Sequence, residues 1–474
     1  MALQIPLLRM GSPYYSLDTV AVPHFQSGEP VAQLSLANPG LIARDLRSSR
    51  AAKAALEAIP ARDLLAICKR AAELFCSGTL PLGETRQSAG QYVAQLSAST
   101  GMPEVLVRKN MDKITLVLEE MEAVIGGLTR GLDIRIFDSG WMKQNDRPIN
   151  FLCETDNLGV VLPSNSPGVH SLWIQALAMK VPVVLKPGSQ EPWTPFRIAQ
   201  AFFAAGLPGE AIGYYPTSHA GGSEILMRTG RSMVFGDKNT VAPWRKDRRV
   251  QIHGPGWSKV VIGQDKIGEW RSCLDVIEVS AIENGGRSCI NASGVWVPAQ
   301  GREIADALAQ RFAAVQPRGI EDPQARIAAF TNKNLAHRLN EMIDNLLRQP
   351  GAEDMTARYR PEGRLVEFEG SVFLLPTVVF CEDDQHPLAH AEYLFPFISV
   401  VEVPQQTLLK KMGTTLVATA ITEDEAFIRE IFASHNVERL NLGAVPTMKI
   451  SWDQPHEGNL FEHLYRQRAL QFSA

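Results

Sequence analysis

The chain has 474 residues, 45% of them hydrophobic and 21% charged, with a formal net charge of -4. That length exceeds one ordinary core and predicts two globular lobes, while the mild acidity offers nothing basic enough to favour nucleic acid. No run approaches the roughly 20 apolar residues of a membrane helix, and Cys68, Cys76, Cys153, Cys273, Cys289 and Cys381 lack the paired spacing of a zinc site, so no metal is expected and the thiols read as reduced in a cytoplasmic protein.

In chain order, the opening MALQIPLLRMGSPYYSL has a short apolar patch but neither the long apolar region nor the cleavage site of a signal peptide. Residues 43 to 75 set Leu46, Ala54, Leu56, Leu64, Leu65, Ile67, Ala72 and Leu74 at helical spacing. Pro60 breaks that pattern, which predicts two amphipathic helices joined at the proline. A further helix is predicted from Pro103 to Leu128, with Gly126 and Gly127 near its end. Between Arg130 and Cys153 the segments LDIRIF and PINFLC, around a polar turn, predict a β-excursion.

From Leu158 short apolar strands (LGVVL, VPVVLK, IGYYP, SMVF) alternate with helices. This is the rhythm of a parallel sheet with crossovers, a doubly wound nucleotide-binding lobe. A helix around 266 to 282 leads into the Cys289 loop, and a second α/β series follows. Its strands are predicted at 294–297, 374–380, 398–403, 416–421 and 439–442, and its helices near 301–314, 332–347 and 423–433. The closing RALQFSA reads as a short strand able to pair with a distant edge.

The chemistry concentrates in a few loops. Asn284-Gly285-Gly286-Arg287-Ser288-Cys289 delivers one cysteine between a helix and a strand. A thiolate is strongly nucleophilic yet leaves readily, so it can attack a carbonyl carbon, hold an acyl group and release it; a buried apolar thiol is the plainer reading of a lone cysteine. Pro163-Ser164-Asn165-Ser166-Pro167 follows the first strand of the nucleotide lobe, and Lys186-Pro187-Gly188-Ser189 ends the second. Read alone, Asn165 is a turn former and Lys186 a solvated lysine. Ala205-Gly206-Leu207-Pro208-Gly209, Phe235-Gly236-Asp237 and Glu392-Tyr393-Leu394-Phe395-Pro396 complete the set.

Together and in this order these motifs resemble the aldehyde dehydrogenase superfamily, from about residue 40 to the end of the chain. The resemblance implies an α/β fold of two doubly wound lobes with a small β oligomerisation element. It implies a nucleotide-binding domain over 1–129 and 154–257, an oligomerisation element over 130–153 and 466–474, and a catalytic domain over 258–465. By resemblance Cys289 is the nucleophile, and Asn165 with the Cys289 amide forms the oxyanion hole, where a fixed amide donor holds a developing alkoxide. Pro163, Ser164, Lys186, Ser189 and Gly236 fall on the dinucleotide side, and Glu392 on the nicotinamide ribose. Ser189 replaces the glutamate that repels a 2'-phosphate, so NAD and NADP both stay open. Asp237 is expected to point away from the pyrophosphate.

One departure bears on the reaction. Where the family carries Glu-Leu-Gly-Gly, whose glutamate activates water, this chain has Ile252-His253-Gly254-Pro255-Gly256-Trp257. Gly-Pro-Gly here is similar to the coenzyme A-acylating aldehyde dehydrogenases. A thiol supplies its own reactive anion more readily than water does, so the resemblance implies interconversion of an aldehyde and an acyl-CoA through a Cys289 thioester. His253 stands at the glutamate's own position. It can serve as a base toward CoA or toward water, which would restore hydrolysis, or simply close a strand end. His170, His219, His456 and His463 have weaker claims. A catalytically silent family member and a luciferase-associated fatty acyl reductase relationship stay open as rivals. Small-molecule partners, no nucleic acid, no membrane and a homodimer or homotetramer complete the expectation. Trp173, Trp257 and Trp296 are assigned to core packing ahead of a substrate pocket.

Overall fold

The structure, a computed structural model, describes residues 3–473; Met1, Ala2 and Ala474, the ends of the two terminal segments read above, lie outside them. By contacts the chain divides into Met1–Ser99, Val107–Gly254 and Ser451–Ala474 as one unit, and Thr100–Leu106 with Pro255–Ile450 as the other.

In the first unit, helices Pro39–Asp45 and Ser49–Glu57 precede α1 (Ala61–Ser77), and Pro60 stands at the N-cap of α1. Leu56, Leu64, Leu65, Ile67 and Ala72 are buried, whereas Ala54 faces solvent. The Pro103–Leu128 prediction becomes two helices, Glu104–Glu119 and Met121–Leu128, broken at Glu120. The central sheet consists of β1 (Leu158–Val161), β2 (Val183–Lys186), β3 (Ile212–Tyr214), β4 (Arg231–Phe235) and β5 (Val250–His253), with α2 (Trp193–Ala204) and α3 (His219–Arg228) as crossovers. These strands are all parallel in the order β5-β4-β1-β2-β3, and the antiparallel pair Leu7–Arg9 and Ser12–Tyr14 extends the β3 edge. The strand order reverses between β1 and β4, so the loops at their C-terminal ends open a crevice, the ordinary place for a ligand in a doubly wound sheet. Gly159 lets α3 lie close on β1: a Cβ there would come within 2.5 Å of Thr229 Oγ1 and 2.8 Å of Ile225.

In the second unit β6 (Ser258–Ile262), β7 (Ala292–Val297), β8 (Thr377–Cys381), β9 (Phe397–Glu402), β10 (Thr415–Ile421) and β11 (Val437–Leu442) form a parallel sheet in the order β8-β9-β7-β6-β10-β11. Ala352–Asp354 adds antiparallel to β8. Helices α4 (Leu274–Ile282), α5 (Gly301–Ala313), α6 (Lys333–Leu347) and α7 (Glu425–Ala433) accompany it. Trp296, Val379, Phe397, Val401 and Phe427 belong to one buried cluster beneath this sheet. Trp173 and Trp296 are fully buried in their respective units and Trp257 partly so. The expected strand 374–380 splits, since Pro376 cannot donate to a ladder; Leu374 ends a separate hairpin strand, Ser371–Leu374.

Two expectations are corrected. LDIRIF is not a strand: Ile136–Ser139 is a helical turn burying Ile136 and Phe137, and the excursion is the hairpin Trp141–Gln144 and Arg147–Cys153. Its turn residues Asn145 and Asp146 both have positive φ, 48° and 61°, as a tight hairpin requires. The terminal strand is Tyr465–Arg468, before most of RALQFSA, and it pairs antiparallel with Arg147–Cys153. The chain also returns to the first unit at Ser451, inside the stretch read as catalytic domain. Gly127 makes room for it, since a Cβ there would lie 2.1 Å from the Asp453 carbonyl.

Asn459 fixes this return: its Nδ2 donates to the Leu128 carbonyl at 2.8 Å and its Oδ1 accepts from Phe461 N at 2.9 Å, capping helix Leu460–Leu464. Asn459→Ala removes both bonds and is expected to lower unfolding free energy by about 1–2 kcal/mol, measured as a lower urea midpoint; an unchanged midpoint would show that the return does not depend on this cap.

Candidate active site

In the second unit, the Cys289 loop begins where α4 ends. Asn284, Gly285 and Gly286 take φ of 57°, 66° and 69° in succession, a left-handed run that a chain of L side chains rarely sustains. Gly286 is obligatory for a second reason, because a Cβ there would fall 2.4 Å from Pro396 N and 2.6 Å from the Phe395 carbonyl carbon. Asn291 then ties the loop to the end of α4: its Nδ2 lies 2.9 Å from the Glu283 carbonyl and 3.1 Å from that of Ser280, and its Oδ1 accepts from Ser288 N at 2.9 Å. Arg287, two residues before the cysteine, is buried and donates to the carbonyls of Thr100 and Ala329 at 2.9 and 2.5 Å. Burial pushes its pKa down to about 10.

Cys289 itself is half-buried. Burial pushes Cys68 and Cys381 up to about 12 and raises Cys273, so those three are inert structural thiols. The Cys289 carbonyl accepts from Ser258 Oγ at 2.9 Å, and a Cβ on Gly256 would lie 1.8 Å from the same oxygen. The Gly-Pro-Gly turn is therefore pressed against the cysteine's backbone. Its own amides are taken by Glu392, whose carboxylate accepts from Gly256 N at 3.1 Å and also from Trp257 N. Glu392, assigned by resemblance to a ribose, thus grips the turn. Leu394 is exposed, whereas the buried Phe395 ring packs against Phe397, with centroids 6.0 Å apart.

Sequence reasoning missed Lys259, although a lysine directly before the apolar run Val260-Val261-Ile262 was the available signal. Its ammonium is buried and donates to the Trp257 carbonyl at 2.6 Å and to Thr415 Oγ1 at 3.0 Å. Burial pushes its pKa down to about 7, against the opposing pull of Glu392.

In the first unit, Pro163, Ser164 and Asn165 form the half-buried loop after β1, and Lys186 is the last residue of β2, its pKa lowered by burial. The register Val161↔Lys186 sets these loops side by side, and Gly188 closes them: a Cβ there would meet Ser164 Oγ at 2.3 Å and the Pro163 carbonyl at 2.4 Å. Ser164 Oγ accepts from Gln190 N at 3.2 Å. Ser189 is exposed, and no carboxylate occupies its place. Beside Lys186 the first turn of α3 presents Gly222, whose missing Cβ would touch Val161 and the Lys186 stem only at 3.8 and 4.0 Å; backbone and lysine can approach a dinucleotide there. Gly236 follows β4, and Asp237 is exposed, its carboxylate accepting from Thr240 N at 2.8 Å to cap the short helix Lys238–Val241. That bond holds its pKa low.

Also in this unit, His253 closes β5, buried, with its Nδ1 paired to the Glu457 carboxylate. His170 is buried between Glu191 (3.1 Å) and Trp173 Nε1 (2.9 Å), a structural arrangement. His219 opens α3, and burial pushes His463 down to about 4. Among the described residues no group of three His, Cys, Asp or Glu could hold a metal ion, and no helix is long and apolar enough to cross a membrane.

Two predictions follow from the second unit. Gly256→Ala must displace the Cys289 loop, and a shift of that kind is expected to cost about 100-fold in turnover; Gly268→Ala, whose Cβ meets nothing within 4 Å, keeps the wild-type rate, and equal rates for both would contradict the packing argument. Between the folded Lys259 value of about 7 and its ordinary 10.5 the unfolded chain holds a proton that the folded chain has lost, so this residue makes stability rise with pH across that window. Lys259→Met is expected to flatten the urea midpoint against pH between 7 and 10, whereas a curve parallel to wild type would refute the depressed value.

Comparison with known proteins agrees with this architecture. Geranial dehydrogenase of Castellaniella defragrans is 25% identical over 255 residues, 52% of this chain and 51% of that protein. The match therefore spans about half the length of that relative. Among solved structures, an NAD+ complex of an aldehyde dehydrogenase from Bacillus cereus superposes with a TM-score of 0.77 at 15% identity, covering 98% of this chain and 96% of that one. ALDH21 from Physcomitrella patens gives 0.78 at 14% identity, covering 99% and 98%. The sequence profile described as "Aldehyde dehydrogenase family" matches residues 16–413, and on that extent, carried on this α/β fold, the chain belongs to the aldehyde dehydrogenase family.

Proposed function

We propose that this protein is an NAD(P)-dependent oxidoreductase that interconverts an aldehyde and an acyl-CoA through a thioester on Cys289. The observation that carries the acylating part is the turn before β6. The residue at the position of the family's water-activating glutamate is His253, and the nearby carboxylate of Glu392 is occupied by the Gly256 and Trp257 amides. Without a free carboxylate at that turn hydrolysis loses its usual base, while a thiol, with its lower pKa, remains a competent acceptor.

In this reading the Cys289 thiolate attacks the aldehyde carbon and the Cys289 N–H donates to the oxyanion, a role that the family resemblance also gives to the Asn165 amide. Bound NAD(P) supplies the hydride acceptor. Lys186, Gly188 and the Pro163-Ser164 loop at the switch point would hold its adenosine side, and Ser189 imposes no charge against a 2'-phosphate. Complexes with NAD+ in the Bacillus cereus enzyme and with NAP in 3,6-anhydro-L-galactose dehydrogenase (TM-score 0.79, 15% identity) support either cofactor. The acyl group then passes from Cys289 to the CoA sulfur as the Cys289 thiolate departs. The two open edges of the small three-stranded sheet, Trp141–Gln144 and Tyr465–Arg468, would pair with further copies in a dimer or tetramer. The free cysteines suit a reducing, cytoplasmic setting.

A second reading rests on His253, whose pairing with Glu457 makes it a credible base toward water. The two are separated by incubating enzyme with NAD or NADP and a panel of aldehydes, with and without CoA, and identifying the product. Acyl-CoA as the main product, with turnover at least about 10-fold faster when CoA is present, is expected; equal turnover without CoA, yielding free acid, would overturn the acylating reading in favour of hydrolysis.

A further inference from the structure

Lys53 and Cys153 lie 100 positions apart in the sequence, and the fold of the first unit brings them together. Lys53 belongs to helix Ser49–Glu57, beside Ala52 and Leu56, and is buried with them at 5% exposure. Its Nζ lies 3.1 Å from Cys153 Sγ and donates to the Lys180 carbonyl at 2.9 Å. Cys153 ends strand Arg147–Cys153 and is half-buried, with the Thr155 carbonyl 3.2 Å away to accept from its S–H. The neighbouring strand sets Tyr465 directly opposite Cys153. The Tyr465 ring lies 5.8 Å from the Lys53 nitrogen, and its hydroxyl donates to the Met179 carbonyl at 2.6 Å.

A buried ammonium is costly unless acceptors or charge surround it. The Glu57 carboxylate, one helical turn on from Lys53, is 3.9 Å away and largely exposed, and the Lys180 ammonium is turned to Asp138 at 2.6 Å. Lys53 is thereby held against sulfur, a weak acceptor as a thiol and a far better one as a thiolate. Contact of this kind also joins the two partners of a known reaction type, since an oxidised cysteine sulfur is electrophilic and condenses with a nearby nitrogen. Cys68, Cys273 and Cys381 are unsuited to that first oxidation, because burial raises all three thiols.

We propose that Lys53 and Cys153 form a redox modification site at which hydrogen peroxide joins them through a sulfur–nitrogen bond. The Cys153 thiolate attacks one peroxide oxygen, the O–O bond breaks, and the departing hydroxide takes a proton from the Lys53 ammonium to leave as water. A sulfenic acid then faces an uncharged amine. The amine lone pair bonds to sulfur, the S–O bond breaks, and the hydroxyl departs with a nitrogen proton as a second water. Sulfur gives up two electrons and the peroxide takes them. The product fastens helix Ser49–Glu57 to the middle strand of the small three-stranded sheet and replaces a buried charge by a neutral link. A thiol reductant reopens it by attacking the sulfur.

The test treats the full-length protein with hydrogen peroxide, alkylates the remaining thiols with iodoacetamide and digests it without reductant for peptide mass. The expected product is a linked pair of peptides bearing Lys53 and Cys153, about 2 Da lighter than their sum because each partner loses one hydrogen. Dithiothreitol added before alkylation abolishes it. The treated protein is expected to unfold at a higher urea midpoint than the untreated one, since a cross-link restricts the unfolded chain, and Cys153→Ser shows no such rise. In Lys53→Met the sulfenic acid meets no amine, so dimedone labels Cys153 there and leaves it unlabelled in wild type. Cys153 recovered alkylated after peroxide, or oxidised with Lys53 unlinked, would overturn the proposal, as would dimedone labelling equal in wild type and Lys53→Met.

Discussion

The carbonyl oxygen of Cys289 is enclosed by backbone. Gly256 lies so close that a single added carbon would overlap it at 1.8 Å, and Ser258 donates to it from the first residue of β6. Everything about the placement of Cys289 depends on that contact. The left-handed run at Asn284, Gly285 and Gly286 lets the chain leave α4 and turn back, and Asn291 holds the turned loop to three carbonyls at the end of the helix. Glu392 and Lys259 then secure the other side, one through the amides of Gly256 and Trp257, the other through the Trp257 carbonyl. Backbone approach of this kind tolerates only glycine, so the Gly-Pro-Gly segment is a packing device for the cysteine.

Glu392 serves the turn, and Glu457, remote in sequence, serves the imidazole of His253. The chain thus lacks the family's glutamate at that position and carries His253 in its place.

Much of this was legible in the sequence because its signals are local. Alternation of apolar strands and helices after Leu158 follows from burial on both faces of a parallel sheet, Pro60 breaks a helix by its missing donor, and the Cys289 loop shows its glycines openly. What stayed hidden depends on tertiary context. LDIRIF has the alternation of a strand, but Ile136 and Phe137 bury in a helical turn ending at Gly140, whose φ of 71° stops it. The terminal strand sits earlier than composition suggested because its pairing with Arg147–Cys153 sets the register. The Glu457 and His253 pairing has no local trace at all.

The claim most central to this account is that Cys289 carries the acyl group and hands it to a thiol. Enzyme incubated with oxidised nicotinamide cofactor and aldehyde, then quenched in acid and digested, reports this directly by peptide mass. The account predicts one acyl adduct, on the peptide bearing Cys289, which disappears on adding CoA before the quench as acyl-CoA forms. An adduct on another cysteine, or one on Cys289 that discharges to free acid as fast without CoA as with it, would contradict it.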